Sequence, residues 1–275
     1  LDPGSPAALH SWALRQPRAD EAVGELAALA VEELELGQRD ALDFLALGFS
    51  ATDYVGHGYG PLSQEQLDNL HRLDRVLGEL FDHLDETVGE GRWIVGFSGD
   101  HGVMTIPEVL GTEGEAGRRV IQGERMQLAQ RAVQDAAAEV GQELDSLPPV
   151  LARLLEERGL AAAAYTHREL AAGLPADSFA VLYRNSHYPG RGHGWFSRFG
   201  VEVRFDYNEL VSFPTGTTHG SPYWYDRHVP FILMGPGIEP GVSDLPVYTV
   251  DLAPTLAGLA GVPVPVDLDG GAVWR

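Results

Sequence analysis

The stretch Trp93-Ile-Val-Gly-Phe-Ser-Gly-Asp-His-Gly102 joins a short apolar run to a turn that carries a carboxylate and an imidazole. The run at 93–98 is typical of a buried strand. Before it, the capping form Ser63-Gln-Glu-Gln66 and leucines at steps of three and four residues predict a helix that ends near Gly89. A further apolar run at 43–50 predicts a second buried strand. Strand, helix and strand in this order predict a βαβ unit and an α/β fold with a mainly parallel sheet.

The rest of the chain extends this α/β pattern. A single domain over residues 1–275 is the expectation for a chain of this length. The segment 161–213 has the least regular pattern and is a candidate insertion or cap region. Hydrophobic periodicity predicts helices at 21–36, at 123–159 with a break near 146–149 and at 251–260. It predicts strands at 179–184 and at 201–207, the latter with an exposed second half, and a third buried strand at 230–234.

Composition excludes several classes of function. Acidic residues outnumber basic ones by 40 to 19, and the formal net charge of −21 argues against binding to a nucleic-acid duplex. Every one of the 19 basic residues is Arg, so a lysine nucleophile or a P-loop lysine is excluded within this sequence. With no Cys, any bound metal must use His and carboxylate ligands. No apolar run reaches the roughly 18 to 20 residues that a membrane span requires.

Carboxylate and imidazole side chains recur at or near the predicted strand ends. They are Asp53 with His57, Asp100 with His101, and His219. Because the carboxyl ends of parallel strands form the ligand-binding edge of an open α/β sheet, these side chains are expected to converge. Oxygen and nitrogen ligands without sulfur suit zinc, with manganese or another divalent ion as alternatives. Taken singly, each motif also fits a surface ion pair, a helix cap or a structural histidine.

Three longer stretches carry a resemblance to a known family. They are Ser50-Ala-Thr-Asp-Tyr-Val-Gly-His-Gly-Tyr-Gly-Pro61, Gly216-Thr-Thr-His-Gly-Ser-Pro-Tyr-Trp-Tyr-Asp-Arg-His-Val-Pro230 and Val247-Tyr-Thr-Val-Asp-Leu-Ala-Pro-Thr-Leu256. Together with Ser98-Gly-Asp-His-Gly102 they resemble the alkaline phosphatase superfamily, specifically its type I phosphodiesterase/nucleotide pyrophosphatase group. Within that group the likeness is to phosphate-irrepressible bacterial alkaline phosphatases. It extends over about residues 20–270.

This resemblance implies a three-layer sandwich around a mainly parallel central sheet and a site for two zinc ions. By the family pattern, Asp53, His57 and His219 hold one zinc, while Asp100 and His101 contribute to the other. The family also uses a further Asp and a Thr or Ser nucleophile. Neither matches a position in this sequence, and both are expected N-terminal to it.

The activity implied for the intact protein is zinc-dependent hydrolysis of phosphate monoesters through a phospho-enzyme. The alternatives are hydrolysis of phosphodiester or nucleotide pyrophosphate bonds on the same two metals, and a non-catalytic metal-binding fragment or pseudoenzyme. The expected partners are small phosphorylated substrates, and the resemblance implies a periplasmic or secreted protein.

Further polar side chains lie near these motifs. Arg227 and His228 follow His219 in sequence and are candidates for orienting a metal-bound imidazole or for contacting phosphate. His193 lies in a Gly- and Pro-rich loop with His187, which fits either the substrate entrance or a solvated surface loop.

Overall fold

Helices and short strands form the regular structure of this protein in a computed structural model that describes residues 5–112, 114, 117–191, 194–212 and 214–273. No helix in these ranges has the length and hydropathy needed to cross a bilayer. The α-helices are α1 (Pro6–Ala13), α2 (Arg18–Glu33), α3 (Ala51–Tyr59), α4 (Gln64–Leu84), α5 (Pro107–Thr112), α6 (Gln122–Val140), α7 (Leu147–Glu157), α8 (His167–Ala171), α9 (Ser178–Ser186), α10 (Trp224–Arg227) and α11 (Leu252–Leu259). The strands are β1 (Val95–Ser98), β2 (Arg118–Ile121), β3 (Ala163–Thr166), β4 (Val201–Arg204), β5 (Glu209–Ser212) and β6 (Phe231–Met234).

The strands pair two by two. β1 pairs antiparallel with β6, with Val95 opposite Met234, and β3 pairs antiparallel with β4, with Thr166 opposite Val201. β2 and β5 are parallel, with Arg118 opposite Glu209. The α/β class is thus present, but within the described residues the predicted mainly parallel central sheet is replaced by three two-stranded sheets, of which one is parallel.

The segment at 43–50 explains part of this difference. Residues 42–50 have no regular secondary structure, and the side chain of Phe44 is 82% exposed. The predicted buried strand, and with it the βαβ unit, is therefore wrong for the described structure. A strand buried on both faces needs neighbours along its edges, and no described strand pairs with this segment. The segment is anchored at Asp43, whose carboxylate accepts a hydrogen bond from the backbone N–H of Gly37 at 2.8 Å.

The chain divides into two compact units. The described residues up to Gly102, together with those from His228 onward, form the first unit, and the residues from Val103 to Arg227 form the second. The predicted cap region at 161–213 falls inside the second unit. Its role as a cap, like the expectation of a single domain, stays a prediction.

The first unit is built on the packing of α2 against α4. Val31 is 1% exposed and Leu80 5% exposed, and the helices approach so closely that a Cβ atom at Gly24 would collide with Val76. α4 begins as predicted, because the Ser63 hydroxyl accepts a hydrogen bond from the backbone N–H of Gln66 at 3.1 Å. The predicted helix at 251–260 is confirmed as α11. The predicted strand at 230–234 is confirmed as β6, but its predicted burial is wrong, because Ile232 is 52% exposed and Met234 38% exposed.

The second unit has the larger core. The predicted helical region at 123–159 with its break is confirmed, because α6 ends at Val140 and α7 starts at Leu147. The alanines of α6 recur at helical spacing and let α7 pack closely against them. The fully buried side chains of this core are Ala129, Ala132, Ala136, Leu151, Leu155 and Val201.

Two predicted strands in this unit have different outcomes. The predicted strand at 179–184 is wrong, because these residues belong to α9. The Asp177 carboxylate accepts hydrogen bonds from the backbone N–H groups of Phe179 and Ala180, both at 2.9 Å, and this N-cap starts a helix where the apolar run alone favours a strand. The predicted strand at 201–207 is confirmed for its first half as β4, and Tyr207 in its second half is 61% exposed.

Candidate metal centre

Helix α3 presents Asp53 and His57 on one face. The residues are four apart, which places their side chains one above the other on a helix. Asp53 Oδ1 lies 3.3 Å from His57 Nε2, and the two side chains are 35% and 30% exposed. Both donors are therefore oriented together yet accessible to an ion from solvent.

Two residues from neighbouring helices hold α3 in place. Asp20 on α2 is 3% exposed, and its Oδ1 accepts a hydrogen bond from the backbone N–H of Ala51 at 3.0 Å, at the start of α3. Burial raises the pKa of Asp20, although the backbone hydrogen bonds from Ala51 and Ser50 lower it. Asn69 on α4 donates from Nδ2 to the Thr52 hydroxyl at 2.9 Å. Neither contact was predicted from the sequence. Asp20 is 31 residues from Ala51 and Asn69 is 17 residues from Thr52, and no local pattern links residues so far apart.

Asp100 and His101 lie in the turn that follows β1. His101 Nε2 is 4.0 Å from Asp53 Oδ1, and His101 Nδ1 is 2.9 Å from the carbonyl oxygen of Gly102. In the tautomer that donates from Nδ1 to this carbonyl, Nε2 is the basic nitrogen and faces Asp53. The Asp100 side chain is 89% exposed, and its Oδ2 lies 3.6 Å from His101 Nε2. We call Asp53, His57, Asp100 and His101 the first cluster.

The first cluster fits a zinc ion by the identity and spacing of its donors. Asp53 Oδ1 lies 3.3 Å from one imidazole Nε2 and 4.0 Å from another. Zinc bound tetrahedrally to nitrogen and oxygen at about 2.0–2.2 Å places neighbouring ligand atoms about 3.4 Å apart. The distance between Asp53 and His57 therefore already matches that of two ligands of one zinc ion.

His219 lies in the second unit, on the loop between β5 and α10. Hydrogen bonds on both sides of His219 hold this loop to other residues of the same unit. The Arg119 guanidinium donates to the Gly216 carbonyl at 2.7 Å, the Thr217 hydroxyl donates to the Met104 carbonyl at 2.7 Å, and the Ser221 N–H donates to Asp226 Oδ2 at 2.7 Å.

The local conformation of this loop depends on glycine. Gly216 has φ +73° and Gly220 has φ +102°, both in the left-handed region that side chains disfavour. Asp226 is 4% exposed, and burial raises its pKa, against the hydrogen bonds from Ser221 and the nearby His219 that lower it. The loop thus holds His219 in a defined backbone frame.

The structure brings four of the five predicted metal ligands together in the first unit. His219 belongs to the other unit, so its place in the ligand set stays a prediction. Arg227 donates from Nε to the carbonyl of Pro222 at 2.6 Å, and His228 is exposed. His193 lies outside the described residues. The predicted supporting roles of these three residues stay predictions.

Comparison with protein-family models establishes the class of this chain. The model of the type I phosphodiesterase / nucleotide pyrophosphatase family matches residues 7–199, and the chain belongs to that family. The family resemblance predicted from the motifs is confirmed.

Three of the relatives that match this chain are alkaline phosphatases. Alkaline phosphatase PhoV of Synechococcus elongatus is 27% identical over 93% of this chain and 49% of its own length. Alkaline phosphatase PafA of Elizabethkingia meningoseptica is 26% identical over 91% of this chain and 48% of its own length. Alkaline phosphatase PhoK of a Sphingomonas species is 29% identical over 92% of this chain and 50% of its own length. The chain spans about half the length of the curated relatives it matches.

Solved structures confirm the fold. Wild-type alkaline phosphatase PafA, solved to 1.7 Å resolution, has a TM-score of 0.83 with this chain at 24% identity, covering 94% of this chain and 52% of its own. A mutant of the same enzyme gives a TM-score of 0.81 at 25% identity, with the same coverage. The predicted alkaline-phosphatase-like α/β fold is therefore confirmed, although the strands described here are short.

Proposed function

We propose that the protein containing this chain is a zinc-dependent hydrolase of phosphate monoesters. Asp53, His57 and His219 would hold one zinc, and Asp100 and His101 would contribute to a second. The observation that carries this proposal is the position of Asp53 Oδ1, which lies 3.3 Å from His57 Nε2 and 4.0 Å from His101 Nε2. The three relatives described above are named alkaline phosphatases, and this supports the same reaction class.

When bound, two zinc ions would supply positive charge next to the attacking and leaving oxygens of a displacement at phosphorus. The residues of this chain hold that arrangement in place. Asp53 would offset part of this charge, and one of its carboxylate oxygens lies near the imidazoles of both His57 and His101. The hydrogen bond between His101 Nδ1 and Gly102 orients the imidazole, and Asp20 anchors the helix that carries Asp53.

The proposal includes a phospho-enzyme formed on a Thr or Ser nucleophile N-terminal to this chain. This part rests on the family resemblance, in which the hydroxyl attacks phosphorus, the leaving alcohol departs, and water then releases phosphate. Small phosphorylated molecules are the proposed substrates, and the periplasm or the cell exterior is the proposed location. The net charge of −21 supports a small-molecule substrate over a nucleic-acid duplex.

Hydrolysis of phosphodiester or nucleotide pyrophosphate bonds is the second candidate. One observation favours it, namely the family that the chain belongs to, whose description names both reactions. Either reaction would use the same metal ligands, so the first cluster does not separate the two candidates.

The test compares hydrolysis of an aryl phosphate monoester and an aryl phosphate diester by the full-length protein with zinc. We expect the monoester to react faster, and we expect D53N to abolish zinc-dependent turnover of both. The matched control is D74N, which changes an exposed aspartate on α4. Faster diester turnover would favour the second candidate, and no metal-dependent turnover of either ester would favour a non-catalytic metal-binding module.

A further inference from the structure

A second group of metal-ligating side chains lies entirely within the second unit. His167 is the first residue of α8, His187 directly follows α9, and Glu202 lies on β4. One donor atom from each lies within 4.8 Å of the other two. We call these three residues the second cluster. None of them belongs to the ligand set of the proposed function.

The geometry of the second cluster brings two imidazoles to one carboxylate. His167 Nε2 is 3.0 Å from Glu202 Oε1, and the rings of His167 and His187 have centroids 4.2 Å apart with an angle of 44° between their planes. The side chains of His167 and Glu202 are 27% and 22% exposed, so an ion can reach them from solvent.

His167 is held by backbone and capping interactions. Its N–H donates to the Gly200 carbonyl at 2.9 Å. The preceding residue, Thr166, forms a capping box with Glu169, in which the Thr166 hydroxyl accepts from the Glu169 N–H at 3.1 Å and Glu169 Oε2 accepts from the Thr166 N–H at 2.9 Å. The start of α8, and with it His167, is therefore fixed before any ligand arrives.

Glu202 is held by its strand and by a neighbouring hydroxyl. It lies opposite Tyr165 in the β3–β4 pair. The Ser197 hydroxyl donates to Glu202 Oε1, the oxygen that also faces His167. Hydrogen bonds of this kind to a ligating carboxylate orient it and are a regular feature of metal sites.

We propose that His167, His187 and Glu202 bind a divalent metal ion of the zinc class, as a site additional to the two proposed for hydrolysis. Two imidazole nitrogens and one carboxylate oxygen form a ligand set that zinc accepts with a further position open. Contraction of the donor spacing from within 4.8 Å to about 3.4 Å requires side-chain movements on the order of 1 Å.

A cavity next to the second cluster could hold the ligand that fills the open coordination position. His187 and Glu202 line a cavity of about 420 Å³, which Arg191 and Arg227 also line. Arginine guanidinium groups bind carboxylate and phosphate oxygens. The ligand expected to complete the coordination is therefore water or a small anion.

An ion pair between His167 and Glu202 explains less of the geometry of the second cluster than a bound metal ion does. A bond between His167 and Glu202 uses one imidazole and leaves the adjacent ring of His187, 4.2 Å away, without a role in it. Charging both rings would place like charges side by side, whereas a metal ion uses both as neutral ligands.

The test uses the full-length protein, stripped with a chelator and brought to equilibrium with Zn²⁺ by dialysis. Elemental analysis then gives zinc per chain for the parent, for E202Q and H187Q, and for the control H71Q, which changes an exposed histidine on α4. We expect E202Q and H187Q to bind one zinc fewer than the parent, and H71Q to bind the same number. Equal zinc content in all four proteins would overturn the proposal. The difference between proteins decides the outcome, so the number of ions held for hydrolysis does not affect it.

A second measurement on the parent covers the case in which a substitution prevents folding. Diethyl pyrocarbonate modifies histidine rings, and peptide mass spectrometry locates each modified residue. We expect Zn²⁺ to protect His167 and His187 and to leave His71 reactive. Equal modification of His167 and His187 with and without Zn²⁺ would contradict the proposal.

Discussion

The first cluster and the second cluster contain the same donor types but are assembled differently. In the first, Asp53 and His57 are four residues apart on one helix, and His101 follows a strand of the same unit. In the second, the donors come from α8, the end of α9 and β4, and His167 is 35 residues from Glu202. The four-residue spacing of Asp53 and His57 and the adjacent pair of Asp100 and His101 can be recognised in the sequence. The donors of the second cluster come together only in the folded chain.

The largest effect is expected for the first cluster. Replacement of His101 in H101Q removes the nitrogen that faces Asp53, and loss of groups that merely support a ligand already costs about 10- to 100-fold. We therefore expect kcat/KM for an aryl phosphate monoester to fall on the order of 1,000-fold, together with loss of bound zinc. The assay is steady-state hydrolysis by the full-length protein, with H71Q as the control. If H101Q were as active as the parent, His101 would not be a metal ligand of the active site.

The core of the second unit includes Val201 of β4, the strand that carries Glu202. Leu155 on α7 is fully buried, so L155A should lower the free energy of unfolding of the second unit by about 2–5 kcal/mol. Hydrogen exchange of peptides from α6 and α7 in increasing denaturant measures this change. The control L128A truncates a leucine of α6 that is 47% exposed and should change stability by less than about 0.5 kcal/mol. Equal losses in the two variants would refute the assigned core.

A smaller effect is expected at the start of α4, which supports α3 through Asn69. S63A removes the hydroxyl that accepts the hydrogen bond from Gln66 and should cost about 1 kcal/mol. S63D offers another capping oxygen and should restore most of the loss. Exchange rates of α4 amides measure both variants. Identical rates in S63A and the parent would show that the cap contributes little.

The smallest effect is a pH dependence carried by Asp20. Burial raises the pKa of Asp20 in the folded protein above the value of the same carboxyl in the unfolded chain. The contribution of Asp20 to stability is therefore most favourable below its unfolded pKa and is lost as pH rises through its folded pKa. In D20N the amide oxygen still accepts from Ala51 but does not titrate. We expect D20N to gain stability relative to the parent between about pH 3 and pH 7 in denaturant titrations. A constant difference across that range, or the same drift in D74N, would contradict this assignment.

Long amphipathic helices were predictable from the sequence. α4, α6 and α7 follow the spacing of their apolar residues, and Ser63 marks the start of α4 as its capping form indicates. Short apolar runs were not decisive. Residues 43–50 lack strand partners among the described residues, and Asp177 turns the run at 179–184 into a helix.

The candidate site was predictable only in its donors. The motifs identified Asp53, His57, Asp100 and His101, which the structure places together. The supports that hold them escaped prediction, because the contact of Asp20 with Ala51 joins two separate helices. Tertiary packing decides such contacts, and a single sequence carries no signal of it.

Anomalous diffraction at the zinc edge, from crystals of the full-length protein grown with Zn²⁺, would locate the ions that the first cluster is proposed to bind. We expect a zinc peak between Asp53 and His57, with a second peak at Asp100 and His101. Zinc elsewhere in the crystal and no anomalous density within bonding distance of Asp53 or His101 would contradict it.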